Sequence, residues 1–251
     1  MIPWLAPGQA FPSVERALQA PNGLLAASGE LDTDRLVAAY SQGIFPWYSE
    51  GEPVLWWAPD PRMVLMTDEF HASRSLHKSM RRTSRQPQTE LRIDSAFNEV
   101  MVACAQPRTG EKGTWITDAV RAAYGELHRR GLAHSVETWR DGKLVGGLYV
   151  VALGRMMFGE SMFAREANAS KLALALLVRV SAREGVAMID CQQSTRHLAS
   201  LGARTISRSH FVEHARQAIA EPAVNWALYA QRPLNSILSN SIPPPSPPGV
   251  D

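Results

Sequence analysis

Apolar residues recur along this chain at two spacings, and the change from one to the other marks its elements. After Asp32 or Thr33, either of which can cap a helix, Leu36, Ala39 and Tyr40 share one face, and Gly43 stops the run. Phe97, Val100, Met101 and Cys104 repeat at helical spacing, while residues 63–66 and 91–93 read as short strands flanking a helix. Thr117 caps a helix whose Val120, Ala123, Tyr124 and Leu127 share a face, and Gly131 ends it. Residues 133–140, a turn at Asp141-Gly142, residues 143–153, a turn at Gly154 and residues 155–163 form a three-stranded meander. Asn168 then caps a long helix to about residue 184, Gly185 stops it, and a strand over 186–192 precedes two shorter helices.

The β-β-β-α-β-α order is that of an acyltransferase-like α+β sheet. Four segments follow from it: an N-terminal wrap, helix and aromatic loop over 1–62, with residues 1–30 expected on the surface; the rest of a small N-terminal α+β domain, with a basic helix, over 63–110; a second α+β domain over 111–232; and a Pro-rich disordered tail over 233–251. A length of 251 residues, 45% hydrophobic, suffices for one large or two small cores. The formal charge of +2 is too mild to imply nucleic acid unless the basic residues cluster. Two cysteines far apart, Cys104 and Cys191, exclude a cysteine zinc cage and make a disulfide framework unexpected. No apolar run approaches the roughly 18 residues of a membrane helix, and no Lys or Arg precedes Arg16, so a cytoplasmic protein without membrane attachment is expected.

Basic residues do cluster. Between Glu69 and Glu90 there is no acid, and Arg74, Lys78, Arg81, Arg82 and Arg85 fall at i, i+4, i+7, i+8 and i+11, one face of a helix suited to a phosphate backbone or, equally, to solvent. Phe45-Pro46-Trp47-Tyr48, Trp56-Trp57 and Trp115 are core material or stacking surfaces; prolines are expected to leave Trp47 and Trp57 in loops, where a flat ring can stack an unpaired base. Strand alternation places Met156, Phe158, Glu160 and Met162 on one face and Met188, Asp190 and Gln192 on another, and carboxylates within such apolar runs need partners. His210 and His214 sit at i and i+4 but lack the Glu and the third ligand of a zinc motif, and His134 and His197 stand alone, so no metal is expected.

Taken together, Gly43-Ile44-Phe45-Pro46-Trp47, Trp56-Trp57-Ala58-Pro59-Asp60-Pro61-Arg62, Gly113-Thr114-Trp115-Ile116-Thr117, Gly159-Glu160-Ser161-Met162-Phe163, Asn168-Ala169-Ser170-Lys171 and Ile189-Asp190-Cys191-Gln192 resemble the leucyl/phenylalanyl-tRNA-protein transferase family from about residue 11 to residue 211. The resemblance implies a GNAT-like aminoacyl-transfer domain over 111–232. It also implies the reaction: leucine, phenylalanine and, less well, methionine pass from aminoacyl-tRNA to proteins with N-terminal Arg or Lys, in the bacterial N-end rule degradation pathway. By position, Trp47 and Trp115, with Tyr124 nearby, resemble the residues that hold the 3′-terminal adenosine. Glu160 and Gln192 resemble those that orient the acceptor, and Asp190 the acid of a proton relay. Leu148, Met157, Leu174, Leu177 and Ile189 would wall the aminoacyl side-chain pocket. Leu177 and Ser181 stand where the family leads one to expect phenylalanines, and Thr195 where it leads one to expect asparagine.

Aminolysis of an activated ester needs no cofactor, neither ATP nor metal, and an acceptor amine of pKa near 8 is already partly neutral at cellular pH. Positioning is therefore expected to dominate, in a monomer, with Gln192 or backbone N–H groups meeting the oxyanion. An acyl-coenzyme A enzyme would need a glycine-rich turn before the long helix, where this chain has Arg165-Glu166-Ala167-Asn168. A non-catalytic RNA-binding module would leave Glu160 and Asp190 without a task.

Overall fold

The computed structural model describes residues 2–107, 114–230 and 232–238. Its N-terminal part pairs β1 (Trp4–Leu5), β2 (Leu24–Ser28), β3 (Phe45–Pro46) and β4 (Val54–Trp57) in one sheet of order β1-β2-β4-β3, with α1 (Thr33–Tyr40) between β2 and β3. Asp32 caps α1 by accepting the Arg35 N–H at 2.7 Å. A second sheet is built from β5 (Arg62–Met66), β6 (Thr89–Ile93), β7 (Ala133–Arg140), β8 (Lys143–Leu153), β9 (Met156–Ala164), β10 (Met188–Gln192) and β11 (Arg204–Ile206). Its order is β11-β5-β10-β9-β8-β7-β6. Helices α2 (Arg74–Thr83), α3 (Phe97–Cys104), α4 (Asp118–Arg129), α5 (Ala169–Arg183), α6 (Arg196–Ala199) and α7 (Arg208–Ala220) complete the α+β fold.

The meander β7-β8-β9 and the crossover through α5 to β10, which runs parallel to β9, take the expected order. On β8 the alternation divides the molecule. Tyr149 and Val151 enter a core shared with α1, β4, α4 and α7, whereas Leu148, Val150 and Ala152 enter a second core under α2 and α5. Helix α5 approaches the sheet closely because Gly146 has no Cβ: one built there would lie 2.5 Å from the Ala169 methyl.

Strands β5 and β6 belong to the large sheet, pairing with β10 and β7. Other expectations are corrected. Residues 24–28 are an interior strand rather than surface wrap, and Trp57 ends strand β4 rather than lying in a loop. These pairings join segments remote in sequence, which local periodicity does not report. Asn168 occupies the N-cap position of α5 as expected, but its side chain makes no capping hydrogen bond; the residue takes φ 65° and donates its amide to Ser79 of α2 at 3.0 Å. Of the tail, Leu234 and Leu238 are buried and Asn235 accepts the Leu91 N–H at 2.9 Å. The proline-rich stretch 239–251 lies outside the described residues. Among the described residues no helix is long and apolar enough to cross a membrane.

Two bulges break the strand alternation. Tyr149 pairs with Ser161 and Val150 with Gly159, leaving Glu160 as the extra residue on β9. Phe158 accordingly packs in the first core and Met162 against the second, instead of sharing a face. On β10 the pairs Asp190–Val64 and Gln192–Met63 leave Cys191 extra.

Candidate active site

Beyond Phe158 and Asp190 the β9–β10 pairing stops, and the two bulged segments border a cavity of about 1110 Å³. Its other walls come from the β3–β4 turn, the residues before α4, and α5. Trp47 and Trp115 line it, as do Leu148, Leu174, Leu177 and Ile189 from the second core. Trp47 is 43% exposed. Its carbonyl accepts the Trp57 indole N–H at 2.7 Å, and the two rings meet edge-on at 5.7 Å. Met157, expected as a wall, is instead buried away from the cavity, where its sulfur accepts the Ser181 hydroxyl at 3.1 Å. Alternation from Phe158 sends Met157 into the second core, the side that also holds Leu148, Leu174, Leu177 and Ile189, but it is not among the residues that line the cavity.

Glu160 is the polar centre. Tyr40 donates to its Oε1 at 2.7 Å, the Gln192 amide donates to the same oxygen at 3.0 Å, and Tyr124 reaches Oε2 at 3.1 Å. The two tyrosine hydroxyls are 2.5 Å apart. Burial raises the Glu160 carboxyl to about 7, against the pull of hydrogen bonds from Tyr40 and Tyr124. A proton on Glu160 would close a ring in which each of the three oxygen groups donates once, because two hydroxyl protons cannot fill three O···O contacts. Both hydroxyls in turn are raised well above the usual tyrosine value, first by burial and then by the Glu160 charge. Tyr124 is thus a buried partner of Glu160 rather than a cavity wall, and Tyr40, not singled out from sequence beyond its place on α1, is its equal.

Asp190 is fully engaged. Arg62, deep in the interior, donates Nε to Oδ1 at 2.8 Å and Nη2 to Oδ2 at 2.6 Å. Its third arm reaches the Gly43 carbonyl at 3.1 Å, and its guanidinium lies between the Phe45 and Phe211 rings, 4.7 and 4.5 Å from their centroids. Gly43 has φ +74° and no room for a Cβ, which would come 2.9 Å from Phe211. Asp190 Oδ1 also accepts the backbone N–H of Gln192 at 2.8 Å, holding that residue at φ 61°. Arg62 carries one signal of this role in the sequence: a charge beginning the apolar run Met63-Val64-Leu65-Met66.

The basic helix α2 buries Leu76, Met80 and Thr83 and exposes Arg74, Lys78, Arg81 and Arg82. It ends at Thr83, so Arg85, although exposed, lies past the helix and does not continue its face. Among the described residues, one cluster has metal-ligating atoms close together: Asp94, His128 and His134. His134, expected to stand alone, meets Asp94 at 2.7 Å and the Gly131 carbonyl at 3.1 Å, while His128 meets the Ala133 carbonyl at 2.8 Å. Both rings are stacked, on Trp226 and Phe97, and these contacts account for them as structure. His210 and His214 have no third donor among the described residues, and burial lowers the His214 pKa.

FemX is among the solved structures that align with the chain, at TM-score 0.46 and 10% identity, over 72% of this chain and 69% of that one. The model of the leucyl/phenylalanyl-tRNA protein transferase family matches residues 64–216, and that of the family's N-terminal domain matches residues 29–60. Leucyl/phenylalanyl-tRNA–protein transferases of Bordetella petrii and Bordetella avium are 58% and 55% identical to the chain, covering 90% and 96% of it and 91% and 98% of their own lengths. Two matching family models and relatives alike over nearly their whole length establish that this chain belongs to the leucyl/phenylalanyl-tRNA protein transferase family and is a transferase enzyme.

Proposed function

We propose that the chain moves leucine, phenylalanine and, less well, methionine from aminoacyl-tRNA to the N-terminus of proteins beginning with Arg or Lys, as a cytoplasmic monomer acting in N-end rule degradation. The observation that carries this reading is one cavity whose wall is aromatic at Trp47 and Trp115, aliphatic at Leu148, Leu174, Leu177 and Ile189, and acidic at Glu160. An aromatic wall suits a terminal adenine, an aliphatic one an apolar aminoacyl side chain, and a half-buried carboxylate a cationic acceptor.

The acceptor nitrogen attacks the ester carbonyl, a C–N bond forms, the C–O bond to the ribose breaks, and the ribose oxygen takes up a proton equivalent to the one the amine loses. Glu160, at about 7, holds or takes that amine proton near neutral pH, and the tyrosine pair redistributes it. Asp190, saturated by Arg62 and the Gln192 backbone, works as a positioning residue that aims the Gln192 amide. Arg74, Lys78, Arg81, Arg82 and Arg85 grip the tRNA body. Against an acyl-coenzyme A reading, the start of α5 is pressed onto Gly146 and preceded by Glu166, which is bonded to Arg140.

The test is to incubate the protein with leucyl-tRNA and a peptide beginning with Arg, and to weigh the peptide. Gain of one leucine is expected; no gain, with transfer from an acyl-coenzyme A instead, would end this reading.

A further inference from the structure

Tyr149 carries a buried hydroxyl that makes no hydrogen bond. The residue is enclosed by its neighbours, yet it contributes to the cavity wall. It stands on β8 opposite Ser161, where β9 bulges to present Glu160, and its ring packs edge-on against Tyr124 with centroids 5.7 Å apart. Tyr40 and Tyr124 commit their hydroxyls to each other and to Glu160. Tyr149 takes no part in that ring of bonds. A buried hydroxyl without a partner is less favourable than the same ring without the oxygen, so packing alone would be served at least as well by phenylalanine.

The side of the sheet says what could reach it. Leu148 projects toward Leu174, Leu177 and Ile189, the aliphatic part of the cavity, whereas Tyr149 projects to the core against which Trp115 packs. The orphan hydroxyl therefore belongs to the aromatic side. We propose that Tyr149 is a positioning residue for the donor, its hydroxyl bonding the terminal adenosine of the aminoacyl-tRNA. Neighbouring atoms cover the oxygen, so the bond forms only as the bound donor displaces them. This assignment rests on the transfer reading above for the identity of the donor.

The test compares Tyr149→Phe with the unaltered protein in melting temperature, in calorimetric affinity for a non-hydrolysable aminoacyl-adenosine amide, and in KM for the Arg peptide. The expected result is an equal or higher melting temperature, an affinity for the adenosine probe weakened about 3- to 10-fold, and an unchanged peptide KM. Unchanged probe affinity would overturn the proposal, and so would a raised peptide KM with normal probe binding. If the unaltered protein bound the probe and Tyr149→Phe weakened it, yet no leucine reached the peptide, the transfer reading would fall while Tyr149 kept its role. A probe that failed to bind the unaltered protein would overturn both.

Discussion

Arg62 and Asp190, 128 residues apart in sequence, form a buried bidentate ion pair that ties the start of β5 to the bulge of β10. Through Gly43 the same guanidinium also reaches the loop that leads to Trp47. Removing one partner strands the other charge in the interior. Arg62→Met is therefore expected to lower stability by about 3 to 5 kcal/mol, and adding Asp190→Leu to recover much of that, as read from urea midpoints. Transfer activity should stay low in the double variant, because Gln192 is then without the oxygen that holds its backbone. Recovery of activity along with stability would show that Asp190 does not position Gln192.

Glu160 titrates near neutrality, and the sign of its effect on stability follows. In the unfolded chain it ionises near 4.5, in the folded one at about 7, so between these values ionisation favours the unfolded state. Its contribution is fully present below about 4.5, falls as pH rises, and has gone above about 7. Glu160→Gln should flatten stability against pH across that window. It should also weaken use of Arg-peptide acceptors, by roughly 1.5 to 3 kcal/mol in kcat/KM, more than it weakens tRNA binding. Equal losses in both would assign Glu160 to the fold rather than to the acceptor.

Trp47 is the exposed tryptophan of the cavity wall, so its truncation should cost the fold little. Trp47→Ala is expected to raise KM for charged tRNA and for a minimal aminoacyl-adenosine donor alike, by about 1 to 3 kcal/mol of stacking energy. Normal use of the minimal donor, with a fall in melting temperature, would make it a packing residue.

Arg81 and Arg85 separate the tRNA body from its charged end. Reversing both to Glu should reduce the slope of log affinity against log salt by roughly 0.7 to 0.9 for each phosphate no longer neutralised, with turnover of the minimal donor kept. The break at Thr83 sharpens the experiment: if the helix alone tracks the backbone, Arg81→Glu should account for nearly the whole change and Arg85→Glu for almost none. An unchanged slope in the double variant would leave the stripe as a solvated face.

How much of the fold is legible in the chain differs by element. Helices α1 and α4, whose caps lie in their own sequence, are readable: Asp32 and Thr117 each accept an N–H three residues on. Three-residue contacts are written into the local order of side chains. Helix α3 lacks such a cap, and the N–H groups of Ser95 and Ala96 go instead to Glu137 on β7, a partner no local pattern names. Motif resemblance places Trp47, Glu160, Asp190 and Gln192 as candidates, but strict strand alternation predicts the wrong companions for Glu160, because a bulge inserts a residue that periodicity does not show.

The sequence by itself determined the locally capped helices α1 and α4, the meander with its crossover helix, and the family, since each depends on residues near one another or on motifs kept in order. Tertiary structure alone decided that β5 and β6 complete the large sheet, that Arg62 neutralises Asp190, and that Tyr40 and Tyr124 raise a ring of hydroxyls around Glu160. The reason is physical: pairing across 120 or 128 residues is fixed by which buried polar groups find donors once the cores close, and chain order carries no record of that choice.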